Sequence, residues 1–544
     1  VVKLFRILAR NAMSTPEDRT LFSRRTALGL MLGAAGGAVL AACGSSAAPA
    51  SGSPGSASSP KPAGSPRAGG TLRSAIPTDI PNVDPHYNSP SHYEAVWIAY
   101  DRLTSYDEKL QPQPMLAESW DVSSDYKQIK LNLRKGVQWH SGREFTSEDV
   151  KWNYLRVRDP KLGAGALTNQ SNWWSTIDTP DKYTVVLKSD VPRPLVFDSF
   201  EYFNIGDRET LDNTLAKNKS VGTGPFALAE WVQGDHIRLV KNKSYWQSGR
   251  PYLDEILIKV LPDAQAMVAQ LEAGSQDVIH TPPWRDFNRL KSDPKFQGVI
   301  HAYSGTWYTI GLTVLNKPLD NKLVRQALNF AMDRKRFTDT LLFGLTPPKT
   351  LPWLPNSPAY EQAKANFFAF DLDKAKALLA QAGVGNFETE MLLSPDFAEL
   401  ADFAQIFQAD LAKIGVKLNI RKVESAAFFE EINSRKFPGM YAISTGRSQL
   451  QPGTLILSTG GLNPGGNNSG FKSDRYTELA NAMAVETDAA KAKQIYSQLN
   501  DLLLDEAFCL ALSSRSSRFL AKSNLHDVGY FLHDGFDWRN AWLS

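Results

Sequence analysis

Few residues in this chain are placed for covalent chemistry. Only two of its 544 residues are cysteine, Cys43 and Cys509, which excludes a disulfide framework and a cysteine-built zinc site. Cys43 ends the run Leu40-Ala41-Ala42-Cys43-Gly44, which has the form of a bacterial lipobox. In that motif small residues fit the peptidase, and the Cys sulfur takes a diacylglycerol before becoming the new N-terminus. Cys509 sits in the apolar stretch LLLDEAFCLAL and reads as a buried, inert thiol. Ser124-Asp125-Tyr126-Lys127 has the SxxK spacing of acyl enzymes, but a KTG-type partner is missing and Lys127 begins a strand-like stretch. The eight histidines show no HExxH spacing. No Walker motif, GxSxG or dinucleotide fingerprint occurs, and the Gly-rich run 460–466 lacks the Lys of a phosphate loop. No metal site or cofactor is predicted. Paired carboxylates for glycoside cleavage are not recognisable from spacing, so glycoside turnover would separate a hydrolase from a protein that only binds.

The first seventy residues read as an address and a tether. Residues 26–42 are an uncharged apolar run behind Arg24-Arg25, the layout of a signal peptide, and too short and Gly-rich for a membrane span. The paired arginines also suit twin-arginine export, although Ala27 replaces the usual bulky apolar residue. Residues 1–43 are thus assigned to the signal. Residues 44–69 are nearly all Gly, Ser, Ala and Pro and cannot bury enough apolar surface to fold, so they form a flexible linker. A lipid at Cys43 would then hold a soluble body beside the outer face of the cell membrane. The net charge is +3, and residues 1–42 carry +4 of it, which leaves −1 downstream. A body so nearly neutral argues against nucleic-acid binding. Its 13 Trp and 17 Tyr favour a protein that holds ligands by stacking.

Strands and helices alternate from residue 70 onward. Ile129, Leu131 and Leu133 share one strand face, and the chain turns at Lys135-Gly136 and resumes at Val137 and Trp139, which predicts a hairpin over 127–139. Thr146 caps a helix with Asp149 in its first turn. Ile256, Ile258 and Val260 alternate as a strand, and Leu323 to Met332 follow helical spacing behind a capping Asp320. Residues 373–382 and 403–414 are further helices. The pattern predicts an α/β protein with more than one lobe.

A family resemblance then becomes legible. Leu116-Ala117-Glu118-Ser119-Trp120, Leu133 to Gly142 (LRKGVQWHSG) and Phe145 to Val150 (FTSEDV) closely resemble the signature of solute-binding protein family 5. These are the peptide- and nickel-binding receptors of ABC importers. Gly222 to Phe226 (GTGPF), Asn242 to Trp246 (NKSYW), Pro251 to Glu255 (PYLDE), Ala273 to Val278 (AGSQDV) and Leu319 to Leu328 (LDNKLVRQAL) continue it in order. Most of these residues read as scaffold. Gly222, Gly224 and Pro225 would set backbone angles where the chain crosses between lobes.

The resemblance implies an α/β, two-lobed periplasmic-binding-protein-like clamp of the class II type, with a subdomain inserted in lobe one. Residues 70–103, 222–303 and 515–544 would form lobe one, 104–221 the insertion, and 304–514 lobe two. Crossings near 304 and 514 would serve as hinges. Its partners would be a small solute (peptide or oligosaccharide), an ABC permease with its ATPase subunits, and the membrane through the lipid; the chain would be a monomer without enzymatic activity. A sensing lipoprotein that uses the same clamp without transport is the alternative.

By the same resemblance four segments would line the cleft: Tyr87, Asn88 and Tyr93; Trp173 and Trp174, with Tyr202; Trp307 and Tyr308; and the loop 445–453 with Arg447 and Gln451. Peptide receptors of the family commonly carry an Asp just before the Pro of that loop, where it pairs with the peptide's ammonium group. Here Gln451 precedes Pro452, and nothing from Gly439 to Gly470 is acidic. A neutral amide cannot supply the charge-assisted bond a buried ammonium needs, which favours an uncharged ligand such as an oligosaccharide. His86 and His92 read as packing histidines.

Overall fold

The alternation at Ile256, Ile258 and Val260 puts three aliphatic side chains on one face, and Glu255–Val260 is a strand buried with that period. It runs parallel to Thr71–Ile76, with Thr71 opposite Glu255 and Ile76 opposite Val260. Around this pair the computed structural model forms a seven-stranded sheet. Its order is Phe296–Ile300, Arg518–Lys522, Val278–His280, Thr71–Ile76, Glu255–Val260, His236–Lys241, Phe226–Val232. The residues described are 64–544 without 88–89, 163, 216, 218, 302–304, 447–449 and 533–534. The expected signal, lipidated Cys43 and most of the linker lie outside them, as do Asn88 and Arg447.

A second sheet has five strands, ordered Val416–Lys422, Phe387–Leu393, Met440–Gly446, Thr306–Leu312, Cys509–Ser514. Phe387–Leu393 lies parallel to both of its neighbours, as Thr71–Ile76 does in the first sheet. Parallel neighbours need a crossover, and amphipathic helices supply it. Ala264–Glu272 bridges two strands of the first sheet and buries Met267, Val268 and Leu271. Ala398–Ala412 bridges two of the second and buries Leu400, Phe403, Phe407 and Leu411. Each such side chain contributes about 1.5–3 kcal/mol on burial. A third, antiparallel sheet of four strands lies earlier in the chain, ordered Ala117–Val122, Gln128–Leu133, Thr184–Lys188, Thr176–Asp181.

The chain therefore passes between the two large sheets twice, from Ile300 to Thr306 and from Ser514 to Arg518. Buried apolar clusters lie against each of the two large sheets, and among the described residues Trp284 and Leu450 are fully buried in the cluster of the opposite one. Trp284, at the start of helix Trp284–Leu290, packs into the cluster of the five-stranded sheet. Leu450, just before helix Pro452–Ser458, packs into the cluster shared by the seven- and four-stranded sheets. Among the described residues no helix is long and apolar enough to cross a membrane.

Several local expectations need correction. The stretch 127–139 is not a hairpin: Gln128–Leu133 pairs with Ala117–Val122 before it and Thr184–Lys188 after it. Gly136, at φ 74°, turns the chain, but Val137 and Trp139 are then buried in a loop bridged from Gln138 to Glu144. Alternation fixes which face a residue takes, not which strand lies beside it. The helix read as capped by Asp320 is Lys322–Phe330, and its cap is Asn321, whose side chain accepts from the Leu323 N–H. Cap residues in tandem compete, and the one whose oxygen reaches the first free amides wins. The capping box at Thr146 and Asp149 is present, the Thr146 N–H donating to Asp149 at 2.9 Å. At Gly222 and Gly224 the constraint is space rather than backbone angle. A Cβ there would lie 1.8 Å from the Ala99 carbonyl oxygen and 2.5 Å from that of Ile98.

Candidate functional site

A cavity of about 450 Å³ opens between the four-stranded subdomain and the helices that follow strand Met440–Gly446 of the five-stranded sheet. One wall is helix Ala166–Ser171 with Trp173 just after it, supplying Asn169, Gln170 and Trp173, together with Arg193 and Leu195 from the loop before helix Val196–Glu201. The other supplies Thr454, Leu457 and Ser458 from helix Pro452–Ser458, Asn463 from the Gly-rich turn, and Ala484 from helix Asp474–Val485.

Its chemistry is that of a stacking platform beside unspent amides. The Trp173 ring is half-buried, with the Arg193 guanidinium carbon 5.1 Å from its centroid. Arg193 also donates to Ser189 Oγ at 3.2 Å, and burial holds its pKa below the usual arginine range. Gln170 is 5 % exposed and its Oε1 has no hydrogen-bond partner. A buried acceptor left open costs on the order of 1–3 kcal/mol, so it points to something that donates to it. Asn463 is engaged, donating to the Leu457 carbonyl and accepting from the Gly465 N–H, both at 2.8 Å. No carboxylate is among the residues lining this cavity.

Beside Thr454 the two walls are joined through Asp198, in helix Val196–Glu201. Its carboxylate accepts from the Tyr106 hydroxyl at 2.8 Å and from the Gln451 backbone N–H at 3.2 Å. Burial pushes its pKa up to about 6, while Thr454, Tyr106 and Gln451 hold it down by donating to the charged form. Gln451 is thus the residue before helix Pro452–Ser458, its amide N–H committed to an acid about 250 residues earlier in the chain.

The other residues expected at a site fall into four places. Tyr93 is half-buried and lies edge-on to Trp97 at 4.6 Å and to Tyr202 at 6.4 Å, so the first and second segments do meet, with Trp97 between them. Tyr87 is 45 % exposed and packs on His92. Trp174 is turned away from Trp173 into the subdomain core, and Trp307 and Tyr308 are buried in the five-stranded sheet's cluster. Trp307 lies under the Lys349 ammonium at 5.6 Å. His86 and His92 are fully packed, with pKa values held near 4 by burial. Sequence reading missed Gln170, Arg193, Thr454 and Asp198. Pro452 was the available signal for the last two, since a Pro at the first helical turn marks where free amides need an acceptor.

A second arrangement has the connectivity of a nucleophilic triad. Ser74 Oγ lies 3.0 Å from His280 Nε2, and His280 Nδ1 lies 3.2 Å from Glu94. Ser74 is completely buried on the central strand Thr71–Ile76, so no substrate reaches its hydroxyl and the array serves packing. Among the described residues no cluster of His, Cys, Asp or Glu could hold a metal ion.

Comparison with known proteins agrees with this picture. Residues 111–466 match the family described as bacterial extracellular solute-binding proteins, family 5 (middle). The chain is 28% identical over 441 residues to heme-binding protein A of Haemophilus influenzae, covering 75% of this chain and 80% of that protein. It is 26% identical over 489 residues to the glutathione-binding protein GsiB of Escherichia coli K12, covering 86% and 94%. The solved structure of the binding protein AgaA from A. tumefaciens R10, in complex with agropinic acid, superposes with a TM-score of 0.75 at 26% identity, over 87% of this chain and 99% of that one. The fold is the mixed α/β clamp of class II periplasmic binding proteins. The chain belongs to family 5 of the bacterial extracellular solute-binding proteins, the non-enzymatic substrate-binding components of ABC importers.

Proposed function

We propose that this chain captures a small polar solute, peptide- or oligosaccharide-like and without a free ammonium group, in the cavity faced by Trp173. Closure of two lobes would bury the solute there and present it to a membrane permease, with lipid at Cys43 keeping the body at the outer face of the membrane. The boundaries for this motion are those expected from the sequence, lobe one from 70–103, 222–303 and 515–544 and lobe two from 304–514. The ligands named for its relatives differ widely, so the choice of solute rests on this chain's own side chains.

The observation that carries the reading is the half-buried Trp173 ring on the cavity lining, with the unpartnered Gln170 amide on the same wall. A sugar ring offers an apolar face to the indole and hydroxyl donors to the amide; a peptide offers N–H groups to the same acceptor. Among the described residues no carboxylate lines the cavity, and Asp198, beside it, is occupied by Tyr106 and Gln451. Native mass spectrometry of protein purified without denaturation would identify a retained solute. A thermal-shift screen of free dipeptides, N-acetylated peptides and oligosaccharides would rank the classes. Trp173→Ala should weaken the best binder at least tenfold. Tight binding of ordinary dipeptides through their ammonium group would overturn the reading.

A further inference from the structure

The two walls of the Trp173 cavity meet through a largely polar contact. Helix Val196–Glu201 and the turn after strand Thr104–Tyr106 stand on the subdomain side. Opposite them stand the start of helix Pro452–Ser458 and the segment that carries Asn356. Asp198 accepts from the Gln451 N–H at 3.2 Å and from the Thr454 hydroxyl. Asn356 Nδ2 donates to the Glu108 carbonyl at 2.6 Å. Leu195 packs so closely on Gly453 that a Cβ there would lie 2.9 Å from its Cδ1. Leu195 and Thr454 also line the cavity, so parting these two sides opens it.

Asp198 is fully buried at the centre of this contact. Facing it are the Tyr106 hydroxyl at 2.8 Å, the Gln451 N–H and the Thr454 hydroxyl, with Glu201 and Tyr496 at longer range. Glu201 is spent on Arg102 and on the Tyr106 N–H, both at 2.7 Å. Arg193, earlier in the same segment, is turned to the Trp173 ring and to Ser189. Among the described residues, then, none of the groups facing Asp198 is a cation. Burying an ionised carboxylate without a cation is costly, and hydrogen bonds return only part of that cost. Burial accordingly pushes its pKa up to about 6, and in the charged form the acid works against the contact it makes. A polar contact between two parts of a chain, centred on a group that opposes its own burial, opens readily.

We propose that Asp198 is a positioning residue for solute capture, a clasp between the subdomain and helix Pro452–Ser458 that forms whenever the cavity shuts and parts whenever it opens. This rests on the reading of the chain as a two-lobed clamp and names the group that governs its closure. When the clasp parts, water reaches the carboxyl group and its pKa returns towards 3.8; when it forms between that pH and about 6, the carboxylate takes a proton from water. The shut form holds the proton more tightly, so its advantage is full below pH 3.8 and is lost as pH rises through about 6. The balance should therefore favour the shut form about tenfold more at pH 5 than at pH 7.5. Solute would be held more firmly in acid and released more readily near neutrality.

Hydrogen exchange of the Gln451 amide reads the clasp directly, and small-angle scattering reads the lobes; neither needs a solute. Both would be run from pH 4 to pH 8 on the purified full-length protein and on Asp198→Asn, with exchange corrected for its intrinsic pH dependence. In wild type, protection at Gln451 should be about tenfold higher at pH 5 than at pH 7.5, and the radius of gyration smaller. In Asp198→Asn neither should change with pH, and protection at pH 7.5 should exceed that of wild type. Thr454→Val removes a donor to the charged form and should move the upper end of the transition above pH 6. Should Asp198→Asn fail to fold, Thr454→Val decides alone. Protection at Gln451 that is absent or ignores pH, or a pH response unaltered by the substitutions, overturns the clasp. A radius that changes with pH equally in wild type and Asp198→Asn keeps the two-lobed motion and removes Asp198 from it. One radius under every condition removes the motion, and with it both the clasp and the closure in the proposed function.

Discussion

The Asp198→Asn variant tests the electrostatics of the contact between the two walls of the cavity. Asp198 is fully buried, and its pKa is pushed from 3.8 up to about 6. A shift of this size corresponds to about 3 kcal/mol between the charged and neutral forms. Because the folded-state value is the higher one, the native protein holds this proton more tightly than the unfolded chain does. Its contribution is fully present below pH 3.8 and is lost as pH rises through about 6. Asparagine resembles the neutral acid in shape and keeps an oxygen for the Tyr106 hydroxyl and the Gln451 N–H. The variant should therefore match wild type only below pH 3.8, exceed it by about 1 kcal/mol at pH 4.5 and by up to about 3 kcal/mol at pH 7.5. Urea unfolding of both proteins at pH 4.5, 6 and 7.5 measures this, and the difference between them cancels every other titration. A difference that does not change with pH, or a variant less stable than wild type at pH 7.5, would refute the argument.

Gly222→Ala must drive a methyl into the Ala99 carbonyl, at 1.8 Å, and should cost about 3 kcal/mol or prevent folding, whereas Gly234→Ala, at φ 76° with open space around it, should cost only about 1 kcal/mol; thermal denaturation compares them. Cys509 is buried, with its pKa raised to about 11, so it should resist a thiol reagent in native protein and react fully on unfolding. His86, His92, His140 and His301 have pKa values lowered to about 4, which means that stability is lost as pH falls from 6.5 towards 4. The urea midpoint of wild type should drop over that range, and that of Asp198→Asn more steeply, since it lacks the opposing proton uptake.

The elements with strong periodicity were legible because burial enforces the period. Ile256, Ile258 and Val260 had to share a face, and Leu323 to Met332 had to form a helix, whatever their neighbours. The neighbours themselves were not legible, and so the strand at 128–133 was given the wrong partner: its face is decided within six residues, its pairing by strands 117–122 and 184–188. The aromatic pairs failed in a related way. Trp173 and Trp174 are adjacent, yet one faces a cavity and the other the core, because consecutive side chains diverge on leaving a helix. Gln170 carried no signal in sequence; only its burial with an open carbonyl sets it apart from any surface glutamine.

The loop before helix Pro452–Ser458 has no acid of its own, and a carboxylate reaches its start from elsewhere in the chain. Gln451 leaves the first turn of helix Pro452–Ser458 without a carboxylate of its own, and Asp198 supplies one from the opposite wall. The free amides at that helix start carry partial positive charge and offset part of the cost of burying the Asp198 carboxylate. The acid is then used up holding the two walls together. Among the described residues nothing negative lines the cavity, while Arg193 remains on its lining. On the proposed reading, an ammonium group would meet this positive wall, whereas a neutral or acidic group would not be opposed.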